Sequence, residues 1–153
     1  MAKLTDQPFP DEDEWRRALG GFIWRMGQLE YLSYEWCLRL GGVKLCDAAI
    51  TKTGFRARYD LVVAAVASSA WSSEKKVKAL RLWRSAKCFS VFRNKVAHAP
   101  VLQIRGVSVM LDARCLIGEG KRPVMVFRPE FIDGVSDHIQ VLAQKIDRTL
   151  DAE

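Results

Sequence analysis

The segment EWRRALGGFIWRMGQLEYLSYEWCLRLGG, residues 14–42, decides the fold. Within it Trp15, Leu19, Phe22, Met26, Leu29, Ser33, Trp36 and Leu40 recur at alternating intervals of four and three residues, the spacing of one face on a long α-helix. A stripe so long and so aromatic is a packing seam, within the subunit or against a second one. Asp11-Glu12-Asp13-Glu14 precede it and put negative charge where a helix N-terminus favours it. Gly41-Gly42 are expected to stop the helix. A loop of roughly a dozen residues should follow, and residues 1–11 should form a flexible lead.

Outward from this helix, Leu61, Val62, Val63, Ala64, Ala65 and Val66 predict a second helix over about 55–70, apolar nearly all round and therefore buried. Ser72-Ser73-Glu74 supply a cap for a third, from about Ser73 to His98. Pro100 closes it, because the residue before a proline is pushed out of the helical region. VLQIRGVSVMLDARCL and RPVMVF, both within 101–128, are β-branched and partly alternating, and read as a small hairpin or meander. Ile132, Val135, Ile139, Leu142, Ile146 and Leu150 then share one face of a last helix. The expected fold class is mainly α, an antiparallel bundle of four main helices in a single domain, with the β-rich insertion before the last helix.

A chain of 153 residues, 49% hydrophobic and 27% charged, is long enough to bury a real core. No stretch approaches the ~18 apolar residues of a membrane span, and the acidic start lacks the apolar run of a signal peptide. A cytoplasmic protein with no membrane partner is expected. Cys37, Cys46, Cys88 and Cys115 show no short paired spacing, and His98 and His138 do not complete a zinc pattern. Reduced, mostly buried thiols with no metal and no cofactor are the simplest account. A net charge of +6 favours an anionic partner without establishing one.

The third helix sorts into two faces at about 100° per residue. Ala79, Leu82, Ala86, Phe89, Phe92 and Val96 should face the core, whereas Leu80, Trp83, Lys87, Val91, Asn94 and His98 mix apolar anchors with polar groups. Leu80, Trp83 and Val91 are the candidates for a dimer contact. From Lys75 to Lys95 there are eight basic residues and no acidic one. Helices gain a few tenths of a kcal/mol from each opposite-charge pair, and this one forgoes that gain. A solvated lysine face accounts for this, and so does a nucleic-acid backbone held by Lys76, Lys78, Arg84, Lys87 and Lys95.

At the end of that helix stand Arg93, Asn94 and His98. Histidine serves as acid or base near neutral pH, arginine offers a planar fork to a phosphoryl group, and asparagine can orient either. The set suits phosphodiester cleavage. By spacing alone it suits a structural role as well. Arg93 and His98 lie roughly 140° apart on an ideal helix. They converge only if the last turn unwinds before Pro100 or if two copies of the helix share a site.

R-N-K-V-A-H, Arg93 to His98, resembles the R-x4-6-H signature of the HEPN superfamily, in which a polar residue often follows the arginine as Asn94 does here. The helical frame from about 12 to 100 and from 130 to 150 is similar as well. The resemblance implies a helical core that dimerises so that two motifs line one cleft, with Arg93 and His98 as the catalytic pair and Asn94 as the supporting residue. It implies a metal-independent endoribonuclease of the toxin, phage-defence or RNA-processing kind, with RNA or nucleotide as ligand and a protein antitoxin as a further partner. The alternative is a non-catalytic HEPN module that binds RNA or nucleotide, or a dimeric scaffold. Segment 101–128 departs from the minimal helical frame.

Other signals are plainer. Glu30, beside the seam of the first helix, could pair with Arg93 or orient His98, but reads rather as a surface glutamate, and His138 as a surface histidine. Gly118-Glu119-Gly120 with Lys121 is too short for a phosphate loop.

Overall fold

A computed structural model of the protein describes residues 11–51, 54–99, 101–104, 107–111 and 126–151. The chain is mainly α. Among the described residues four helices, α1 (Glu12–Thr51), α2 (Phe55–Ser68), α3 (Ser73–His98) and α4 (Pro129–Asp151), pack as an antiparallel bundle. α1 lies along α4 and α2, and α3 closes the bundle against α2 and α4.

The seam of α1 is the core. Trp15, Phe22, Met26, Leu29, Ser33 and Trp36 are buried and Leu19 and Leu40 half-buried, so the four-three stripe faces inward along its whole length. Ser33, its one polar member, returns its hydroxyl to the Glu30 carbonyl and is thereby satisfied. Trp36 sets its ring edge-on to Trp71 and to Trp83, at 5.5 Å between centroids in both pairs.

The first stretch of α1 ends at Gly42, as expected. That residue adopts φ 71°, ψ −171°, a backbone region open in practice to glycine alone, and it breaks the helix. No loop follows. The chain resumes helix through Thr51, because Leu45 and Ala49 give this short piece an inward face of its own. Gly41 is required too, since a Cβ there would run into the Leu45 side chain.

α2 is narrower than its composition suggested. Val62, Ala65 and Val66 are buried, but Ala64 faces outward and the helix ends at Ser68. α2 packs against α1 and α3, and an exposed alanine on its outer side costs little. α3 begins at the Ser72 cap, whose hydroxyl accepts the Lys75 amide at 3.2 Å, and runs unbroken to His98.

Three short strands, β1 (Val101–Ile104), β2 (Val107–Leu111) and β3 (Val126–Phe127), form an antiparallel sheet in that order. Val101 stands opposite Met110, and Met110 opposite Phe127. Met110 and Phe127 are buried. Phe127 meets Phe92 of α3 edge-on at 5.4 Å and stacks on Phe131 of α4 at 5.5 Å, while Phe92 meets Phe22 of α1 at 5.6 Å. This aromatic cluster fixes the C-terminal turns of α3 against the bundle. Residues 1–10 of the expected lead and 112–125 of the expected β-rich segment lie outside the described residues.

Candidate functional site

Arg93, Asn94 and His98 lie at the exposed C-terminal end of α3. The Arg93 guanidinium donates to Asn94 Oδ1 at 3.2 Å, and its other terminal nitrogen stands 3.8 Å from Glu30 Oε1 on α1. The second Glu30 oxygen accepts from Arg58 Nη2 of α2 at 2.8 Å. Arg58 is 5% exposed, and its guanidinium lies over the Tyr34 ring, 5.1 Å from the centroid. Three helices thus converge on one carboxylate: α2 supplies a buried cation, α3 an exposed one, and α1 the anion between them.

Glu30 is therefore not the plain surface residue expected. It is half-buried, and it gives the buried Arg58 guanidinium a counter-charge. Among the described residues the cluster sets two guanidinium groups around one carboxylate. Glu30 grips Arg58 at short range and Arg93 at long range, so Arg93 keeps donors for an incoming anion. An arginine fork beside an asparagine suits a phosphoryl group. Sequence reasoning missed Arg58. The signal was slight: Arg58 is one of three charged residues, with Arg56 and Asp60, ahead of the apolar run from Leu61 to Val66, and nothing local pairs it with a glutamate 28 residues earlier.

His98 is exposed and makes no hydrogen bond or ion pair among the described residues. Since α3 stays helical through His98 and turns outward only at Ala99, the last turn does not unwind to swing His98 toward Arg93. The 140° divergence of an ideal helix persists.

The expected phosphate-binding side chains divide. Lys78 and Arg84 are exposed on α3, as is Arg81. Lys76 Nζ donates to the Ala67 carbonyl at 2.9 Å, tying α3 to α2, and Lys87 Nζ sits 4.5 Å over the Tyr59 ring. Lys95 is half-buried. Of the expected dimer anchors, Val91 is exposed and Leu80 packs half-buried against the core. Trp83 is fully buried between Trp36 and Phe55 and cannot anchor an outside partner. A groove of about 690 Å³ lies elsewhere, between α1 and α4, lined by Trp24, Gln28, Tyr31, Gln140 and Gln144 among others.

Burial pushes the Cys37 thiol up to about 11, with Cys46 nearby adding to the effect. Cys37, Cys46 and Cys88 carry free thiols. Among the described residues no group of three His, Cys, Asp or Glu side chains is placed to hold a metal ion, and no helix is long and apolar enough to cross a membrane. Comparison with family models, with curated proteins and with solved structures finds no match to this chain.

Proposed function

We propose that the protein is a HEPN-type endoribonuclease that cleaves RNA by attack of the 2′-hydroxyl on the adjacent phosphorus. A base takes the proton from O2′, the O2′–P bond forms, the P–O5′ bond breaks, and an acid returns a proton to O5′. The products are a 2′,3′-cyclic phosphate and a 5′-hydroxyl. His98 serves the proton transfers, Arg93 binds the phosphoryl oxygens as their charge grows, and Asn94 holds the Arg93 fork in line. The observation that carries this reading is Arg93, gripped loosely by Glu30 and bonded to Asn94 at the open end of a basic helix. Because Arg93 and His98 diverge on one regular helix, the complete site takes one of them from each of two copies.

The test is a labelled mixed-sequence RNA incubated in EDTA with the native protein and with His98→Ala. Cleavage to cyclic-phosphate ends is expected, with a fall of about 10²–10⁴ in the variant. Unchanged cleavage in His98→Ala would remove His98 from the chemistry.

The exposed Lys78, Arg81 and Arg84 favour a second reading, an RNA-binding module without turnover. It calls for salt-sensitive binding that falls when these three are neutralised, with the RNA recovered intact.

A further inference from the structure

The outward side of α1 carries a second pattern. Gly20, Trp24, Gly27, Tyr31, Tyr34 and Leu38 follow at intervals of four, three, four, three and four residues, a coiled-coil seam distinct from the buried stripe. Tyr34 is half-buried and the other five are exposed, Trp24 at 69% and Tyr31 at 63%. Nothing lies within 4 Å of where a Cβ would stand on Gly20 or Gly27. A continuous aromatic and aliphatic face of this kind marks an interaction surface.

The order of its residues indicates what covers it. We propose that α1 pairs antiparallel with α1 of a second copy of this chain, about a two-fold axis beside residue 29. An antiparallel pairing sets each residue against the one equally far on the other side of the axis. About residue 29, Gly20 meets Leu38, Gly27 meets Tyr31 and Trp24 meets Tyr34. Twice a large side chain finds a glycine, and once an aromatic finds an aromatic, which is how facing layers interdigitate. The contact is self-complementary, as a two-fold interface must be.

A parallel pairing would stack Trp24 on Trp24 and set glycine against glycine at positions 20 and 27. An unrelated partner gives no reason for large and small residues to mirror one another about one point.

The pairing stands on the α1 residues and not on the nuclease reading, but it bears on it. Glu30 lies about 80° round the helix from the middle of the seam and one residue from the axis. A two-fold axis perpendicular to the plane of two antiparallel helices keeps such flanking residues on one side. Both copies of Glu30, each with Arg93 beside it, then face the same side of the dimer next to the axis.

Sedimentation at micromolar concentration is expected to give twice the 17.3 kDa chain mass. Trp24→Glu with Tyr31→Glu should halve that mass while the helical circular dichroism stays. Gly27→Cys with Tyr31→Cys in one chain should give a covalent dimer on oxidation, well above the parent chain. Gly20→Cys alone should not, because its two copies would lie about 27 Å apart along the seam. The cysteine pair decides the register whether or not the charged variant folds. A monomeric parent, a dimer that survives the two glutamates, or cross-linking through Gly20→Cys would each overturn the proposal. A dimer that behaves as expected yet leaves RNA intact would count against the nuclease reading alone.

Discussion

Glu30→Ala is the most informative single change. The Glu30 carboxylate is the 2.8 Å partner of Arg58, a guanidinium 5% exposed beneath Tyr34. Removing one member of a buried pair leaves a charge that cannot return to water, at a cost of about 3–5 kcal/mol. The Glu30 side chain is 29% exposed, so water reaches the vacated space and the low end applies, about 3 kcal/mol. For a chain of this length that is a fall in Tm of about 6–12 °C. Denaturant unfolding of the native chain, Glu30→Ala and Arg58→Met, together with the double variant, separates the terms. The double variant should recover much of the loss, because it removes the stranded charge as well as its partner. Glu12→Ala is the control, since it removes a first-turn charge and its pair with the exposed Arg16, and each such interaction is worth about 0–1 kcal/mol. A Glu30→Ala loss no larger than that of Glu12→Ala would refute the buried-pair argument.

Three further outcomes follow from the structure. With its thiol near 11, Cys37 holds its proton at pH 8 and should not react with a maleimide in the native state, whereas the exposed Cys88 should react readily. The native thiol titrates near 11 and the unperturbed one near 9.0, so stability should fall as pH rises from 9 through 11, where the unfolded chain loses a proton the folded one keeps. Alkaline denaturation of the native chain against Cys37→Ala measures that slope. Gly42→Ala forces a side chain into φ 71°, ψ −171° and should cost about 1–3 kcal/mol, read as a lower Tm. An unchanged Tm would mean that the break at Gly42 is not held by the rest of the fold.

What could be read from the sequence depended on how local its cause was. The α1 stripe is a repeat of three and four carried over more than twenty residues, so its inward set could be named one by one. The limits of α3 were equally plain, because Ser72 and Pro100 act on their immediate neighbours. Trp83 was misplaced because no single face of α3 is inward throughout. At Trp83 the helix faces Trp36 and Phe55, while nine residues on Phe92 faces Phe22, Phe127 and Phe131. A wheel drawn over all of α3 averages those two surroundings. In the sequence the helix after Gly42 looks like loop because it is short and follows a glycine break, and only its contact with the core distinguishes it. The Glu30, Arg58 and Arg93 cluster was least legible. It joins three helices, and no local spacing brings its members together.

The divergence of Arg93 and His98 makes a demand that can be tested without knowing the substrate. If each site draws Arg93 from one copy and His98 from the other, Arg93→Ala and His98→Ala are each inactive alone. A mixed dimer, however, contains one complete site and one doubly defective site. Random reassortment makes half the dimers mixed, so the blend should recover about a quarter of the native cleavage rate. If both residues of a site came from one chain, no mixed dimer would hold a complete site and nothing would be recovered. The blend must be unfolded and refolded together, so that copies exchange before the assay. Recovery would join the α3 motif to a two-copy assembly in one measurement. Its absence, with each variant shown to be dimeric and exchanging, would return the site to a single chain and require α3 to open at its last turn.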